Sequence, residues 1–126
     1  MARKTYADMK AVAKATEENG NLITATLLEL REALGYNRLG VRVLGYIADG
    51  LDGEGLGYFP QWVLDSDSNE APRSENVIRV FKKGTAVGNA ISAVLEPTNK
   101  GDELLRESAG GDAAETLKRV RELVAE

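Results

Sequence analysis

The 126-residue sequence contains neither cysteine nor histidine. Without cysteine there is no disulfide, no thiol nucleophile and no thiolate metal site. Without histidine the chain lacks the commonest general base near neutral pH and the commonest metal ligand. Ser-His-Asp and Cys-His catalysis are excluded, and the expectation is a protein that is not an enzyme and carries no cofactor or metal. No apolar run approaches the roughly 18 residues that read as a membrane-crossing helix. The opening MARKTYADMK lacks the apolar core of a secretory signal. The expected setting is the cytoplasm, with no membrane partner.

Basic charge is also in short supply. The net charge is −4, which is low for a nucleic-acid binder judged in bulk, although its distribution matters more than its sum. Residues 96–126 hold five basic and eight acidic side chains, so most of the deficit lies in the last quarter and the first 95 residues are nearly neutral.

What the chain does have is periodicity. Met9, Val12, Ala13 and Thr16 recur at helical spacing and predict a helix from Thr5 to Glu18, stopped by Asn19–Asn21. LITAT, Leu22–Thr26, reads as a short strand. Thr26 and Glu29 fit a capping box, and Leu27, Leu30 and Leu34 give the following helix a buried stripe that ends at Gly35. A third helix is expected from Asn37 or Arg38 to Asp52. One side carries Gly40, Leu44, Ile47, Ala48 and Leu51, and the other carries Arg38, Arg42, Gly45 and Asp49. Gly40 and Gly45 each cost a helix about 1 kcal/mol relative to alanine. Close packing or close approach of a ligand is a reason to keep them.

Gly53, Gly55 and Gly57 predict a loop. Tyr58–Leu64 reads as a strand that Pro60 makes an edge or breaks. Asp65–Asn76 is a polar loop, and Val77–Lys83 is the strongest strand, with Ile78 and Val80 alternating against Arg79, Phe81 and Lys83. A short helix over Thr85–Pro97, a linker over Thr98–Gly101, a helix over Asp102–Gly111 and a last helix over Ala113–Ala125 complete the expectation.

The order of helix, strand, helix, turn, helix, strand, loop and strand resembles a winged helix-turn-helix DNA-binding domain. The resemblance runs over about residues 5–83. Leu22–Leu51 look like its helix-turn-helix and Tyr58–Lys83 like its wing. It implies a mainly α fold with a small β-hairpin (α+β), with the core domain over 1–97 and a helical appendage over 98–126. It further implies sequence-specific binding of double-stranded DNA in a regulator of transcription or of a bacterial or phage DNA process. The third helix would enter the major groove by its first half. Carried onto this sequence, the contacts are Tyr36, Asn37, Arg38, Val41 and Arg42, flanked by Tyr46. Arginine pairs bidentately with guanine, and Asn37 either reads adenine or caps the helix.

Each signal has a plainer reading beside it. Arg38 and Arg42 are either base readers or solvated charges, and Asp49 on the same stripe would repel phosphate. Arg73, Arg79, Lys82 and Lys83 either make a phosphate-holding wing or protect an edge strand. Tyr58, Phe59, Trp62 and Phe81 either pack the sheet or face a protein partner. The stripe Ala113, Leu117, Val120 and Val124 either pairs two copies into a homodimer or folds back. A protein–protein interaction module without DNA binding is the alternative function. DSDSNE matches a calcium loop at Asp65, Asp67 and Asn69. It then puts Glu70 where glycine is needed and Asn76 where glutamate is needed, so a solvated loop is expected. GEGLG follows a helix, and the lysines of KKGTAVGNA precede their glycine. Neither is a nucleotide loop.

Overall fold

The structure, a computed structural model, describes residues 4–109. The chain divides into two compact units that meet at Lys83 and Gly84. The first contains α1 (Met9–Glu18), β1 (Leu22–Thr26), α2 (Leu27–Leu34), α3 (Val41–Gly53), β2 (Leu56–Phe59), a 3-10 turn (Gln61–Leu64) and β3 (Val77–Lys82). The second contains α4 (Ala86–Leu95) and α5 (Asn99–Ala109). The described chain is therefore an α+β protein with five helices and one three-stranded antiparallel sheet. None of its helices is long and apolar enough to cross a membrane.

In α1 the apolar spacing is obeyed, with Met9, Val12, Ala13 and Thr16 all buried. The helix opens later than Thr5, because the Asp8 carboxylate accepts the Ala11 N–H at 2.9 Å and fixes the start at Met9. Buried Thr16 loses no hydrogen bond, since its hydroxyl donates to the Val12 carbonyl at 2.8 Å.

The capping box of α2 forms as the sequence predicts, and a distant loop completes it. The Thr26 N–H donates to the Glu29 carboxylate at 2.9 Å, and the Glu29 N–H donates to the Thr26 hydroxyl at 3.2 Å. The two donors between them, Leu27 and Leu28, reach the carbonyls of Asn76 and Ser74 at 2.9 and 3.1 Å. Every orphan amide of this helix start is thus occupied. Leu27 and Leu30 are buried in the core, and Leu34 packs against it from a half-buried position.

The start of α3 departs from expectation. Gly40 is extended and serves as N-cap, so Asn37 and Arg38 precede the helix. The residues between Gly35 and Gly40 are held by tertiary contacts instead, and Leu39 packs against the core. Val43, Leu44, Ile47 and Leu51 form the buried face. At the other end α3 absorbs Gly53, and β2 absorbs Gly57, so the predicted glycine loop shrinks to Glu54 and Gly55.

β3 is the centre of the sheet, in the order β1-β3-β2. Thr24 pairs with Arg79 and Ala25 with Ile78, while Tyr58 pairs with Val80 on the other side. Ile23, Ala25, Leu56, Tyr58, Ile78 and Val80 consequently share the face that joins the helical core. Arg79 and Phe81 share the opposite face, as the alternation predicts. Phe81 fits there because its partner Gly57 has no side chain. A Cβ at that position would collide with the Phe81 ring. The expected strand over Tyr58–Leu64 ends at Pro60, beyond which the backbone turns into the 3-10 segment.

In the second unit Thr85 caps α4, accepting the Gly88 N–H at 3.1 Å. α4 and α5 pack through Ala93, Val94 and Leu105, with Ala90 at the margin. The segment Thr98–Gly101, expected as a linker, is the beginning of α5. Thr98 accepts the Gly101 N–H at 2.9 Å. The unit boundary accordingly falls ahead of α4, whereas the sequence pattern places it at 97/98. The expected helix over Ala113–Ala125, and the dimer contact assigned to it, lie outside the described residues.

Candidate nucleic-acid interface

The corner between α2 and α3 is built by four local devices. Gly35 closes α2 in the left-handed region at φ 83°, which a side chain would strain. The Tyr36 N–H donates to the Arg31 carbonyl at 3.2 Å. The Arg31 guanidinium donates to the Asn37 carbonyl at 2.7 Å. The Tyr36 and Tyr46 rings stack, with centroids 5.5 Å apart and planes 16° apart. The corner is thus tied to α2 on one side and to α3 on the other.

Around this corner Tyr36, Asn37, Arg38, Val41, Arg42 and Tyr46 are all exposed. Arg38 and Arg42 are not one helical turn apart, since only Arg42 lies on α3. They stand on either side of its N-cap, Gly40, instead. The first turn has no side-chain cap, because Gly40 has none to offer. No acidic residue occurs from Gly35 to Ala48. A helix start with two flanking guanidinium groups attracts anions, since its amides and dipole favour negative charge.

The attraction is confined to the first half of α3. Further along, Asp49 is exposed, and Tyr58 on β2 lies within reach of both Asp49 and Asp65. Burial first, then those two carboxylates, raise the Tyr58 phenol above its usual pKa. Positive and negative character therefore divide along the same helix.

The basic residues of the hairpin are not brought to one surface. Arg73 sits in the loop with Glu75, 4.0 Å away. Arg79 faces outward from the sheet, in register with Thr24 and Phe59. Lys82 is directed to Glu17 at 3.7 Å and to the Glu54 carbonyl at 3.1 Å. Lys83 meets Asp52, in the last turn of α3, at 2.8 Å. The span from Asn76 to Lys82 is about 20 Å of strand, so the two lysines lie at the end of β3 remote from the loop. The loop, Asp65–Asn76, has four carboxylates against one arginine.

That loop uses its polar side chains on itself. The Asp65 carboxylate accepts from the Asp67 N–H at 3.1 Å and the Ser68 hydroxyl at 3.0 Å. Asn69 is buried and donates to the Val63 carbonyl at 2.9 Å. Asn76 accepts the Arg73 N–H at 2.9 Å. Among the described residues no group of three or more acidic side chains is placed to hold a metal.

No protein-family model, curated protein or solved structure matches the chain. The functional assignment of the site thus rests on its own geometry.

Three residues of the aromatic cluster pack and one is left exposed. Tyr58 packs against the core, and Phe59 and Phe81 pair across the opposite face at 6.2 Å. Trp62 remains 48% exposed. Arg31 is a residue of the corner that the sequence pattern does not single out. Its signal is its position in the last turn of α2, four residues before the glycine that ends the helix.

Proposed function

We propose that the protein binds double-stranded DNA through the opening turn of α3, as a winged helix-turn-helix regulator. The element order, with β3 between β1 and β2, supports that fold. The observation that carries the function is the exposed corner, where Arg38 and Arg42 flank a helix start without a side-chain cap and the segment Gly35–Ala48 contains no acidic residue. Val41 and Asn37 face base edges in the groove, and Arg38 and Arg42 neutralise phosphate. The paired lysines Lys82 and Lys83 and the acidic loop contribute little to this contact. A second copy joins through the C-terminal segment, and sedimentation of the chain truncated after Gly111 tests that dimer. An unchanged oligomeric state would remove it from the proposal.

Fluorescence anisotropy with a pool of random-sequence 30-base-pair duplexes, at low and moderate salt, tests DNA binding. The paired substitution Arg38→Ala and Arg42→Ala is expected to weaken binding by at least about tenfold and to flatten the salt dependence by about two contacts. Undetectable binding of the wild type at low salt, or an unchanged double variant, would end the proposal.

One observation favours a protein-interaction module as the second reading. The loop is acidic, and Trp62 beside it is half exposed. Tryptophan is enriched where proteins meet. This reading takes over if the chain ignores DNA at low salt.

A further inference from the structure

We infer that Arg31 is a positioning residue for the interface at the head of α3, acting on the corner backbone and not on the bound molecule. The inference rests on the DNA reading for its functional half, while its structural half stands on the corner itself. Arg31 holds the connection at two successive residues. Its carbonyl accepts the Tyr36 N–H at 3.2 Å, and its guanidinium Nη1 donates to the Asn37 carbonyl at 2.7 Å. Its Nε is buried without a hydrogen-bond partner, while the Nη1 bond to Asn37 lies at the exposed surface of the corner. Burying a guanidinium edge unpaired is unfavourable, and the charge-assisted bond to Asn37 offsets it.

The next residue after Asn37 is Arg38, and α3 begins two residues beyond Leu39 with no side-chain cap. Within that segment Leu39 packs against the core and the Gly40 carbonyl accepts the Val43 N–H at 3.0 Å. Arg31 fixes the segment from α2, and the Tyr36–Tyr46 stack fixes it from α3. Releasing the Asn37 carbonyl lets the corner sample other conformations. Only the fraction with Arg38 and Arg42 correctly disposed then binds.

A guanidinium turned back on its own backbone releases no counterions on binding. This separates positioning from contact. In the full chain, Arg31→Met is expected to speed amide hydrogen exchange at Tyr36–Arg42. Affinity for the random 30-base-pair duplex should fall about five- to tenfold, as the competent fraction falls. The slope of log affinity against log salt should stay at the wild-type value. Arg31→Lys, which keeps a donor and the charge, should recover most of the affinity.

Unchanged exchange in Arg31→Met would overturn the inference. So would wild-type affinity in that variant, or a slope lowered by about one contact, which would make Arg31 a phosphate ligand. Loss of folding in both variants would overturn it too, since Arg31 would then support the whole unit. If the wild type binds no duplex, the DNA reading fails. Faster exchange in Arg31→Met would still uphold the hold on the corner.

Discussion

Glycine residues on α3 and β2 illustrate how one residue type answers to different forces. Gly57 is required by a neighbour, because its missing side chain is the space taken by the Phe81 ring. Gly57→Ala is expected to destabilise the protein by about 1–3 kcal/mol, as overpacking does, measured by urea unfolding. Gly45 lies exposed on α3, and a Cβ added there would meet nothing within 4 Å. Gly45→Ala should therefore raise stability by up to about 1 kcal/mol in the same experiment. Close helix packing, offered by the sequence as a reason for Gly40 and Gly45, applies instead to Gly50, where a Cβ would touch Met9 at 3.1 Å.

Asp52 supplies the pH-dependent prediction at the same scale. A hydrogen bond from Lys83, then the lysine charge, holds its carboxyl below the usual carboxylate value. The folded state thus binds this proton less readily than the unfolded state. The contribution is complete above the ordinary aspartate range, about 4, and is lost as pH falls through the lowered folded value. The stability difference between wild type and Asp52→Asn should be present at neutral pH and vanish in acid. The exposure of both side chains keeps it small.

At the scale of elements, local chemistry was legible and tertiary chemistry was not. The α2 cap could be read because Thr26 and Glu29 are three residues apart. Thr26→Ala should cost about 1 kcal/mol in urea unfolding and fray the first turn of α2. The alternation of Ile78 and Val80 against Arg79 and Phe81 was equally visible, since a strand shows its two faces every second residue. The start of α3 was hidden. Helical spacing extends through Arg38, yet Arg31 takes the Asn37 carbonyl and Gly40 lies extended. The start of α5 was hidden for a related reason. TNKG has the composition of a turn, but Thr98 turns it into a capped helix start.

The whole molecule decides which charges count. Lys82 and Lys83 look like wing residues in sequence because their partners, Glu17, Glu54 and Asp52, are remote along the chain. Only folding shows them engaged. The candidate interface is consequently narrow, with Arg38 and Arg42 as its cations. The slope of log affinity against log salt is expected near −2, at about 0.9 per phosphate contact. A slope of about −5 or steeper, from titrations at several salt concentrations, would mean that the hairpin lysines and Arg73 join the contact. Lys83→Ala should leave the slope unchanged.

The loop between the 3-10 turn and β3 has one more effect. Its carbonyls at Ser74 and Asn76 occupy the amides of Leu28 and Leu27. The loop cannot lift from the body without stripping two donors from α2, the helix whose far end holds the corner through Arg31. Motion at the loop is therefore entered as fraying at one end of a short rod whose other end grips the candidate interface. The two amides act as a gauge of that motion: their solvent exchange reads how often the loop lets go.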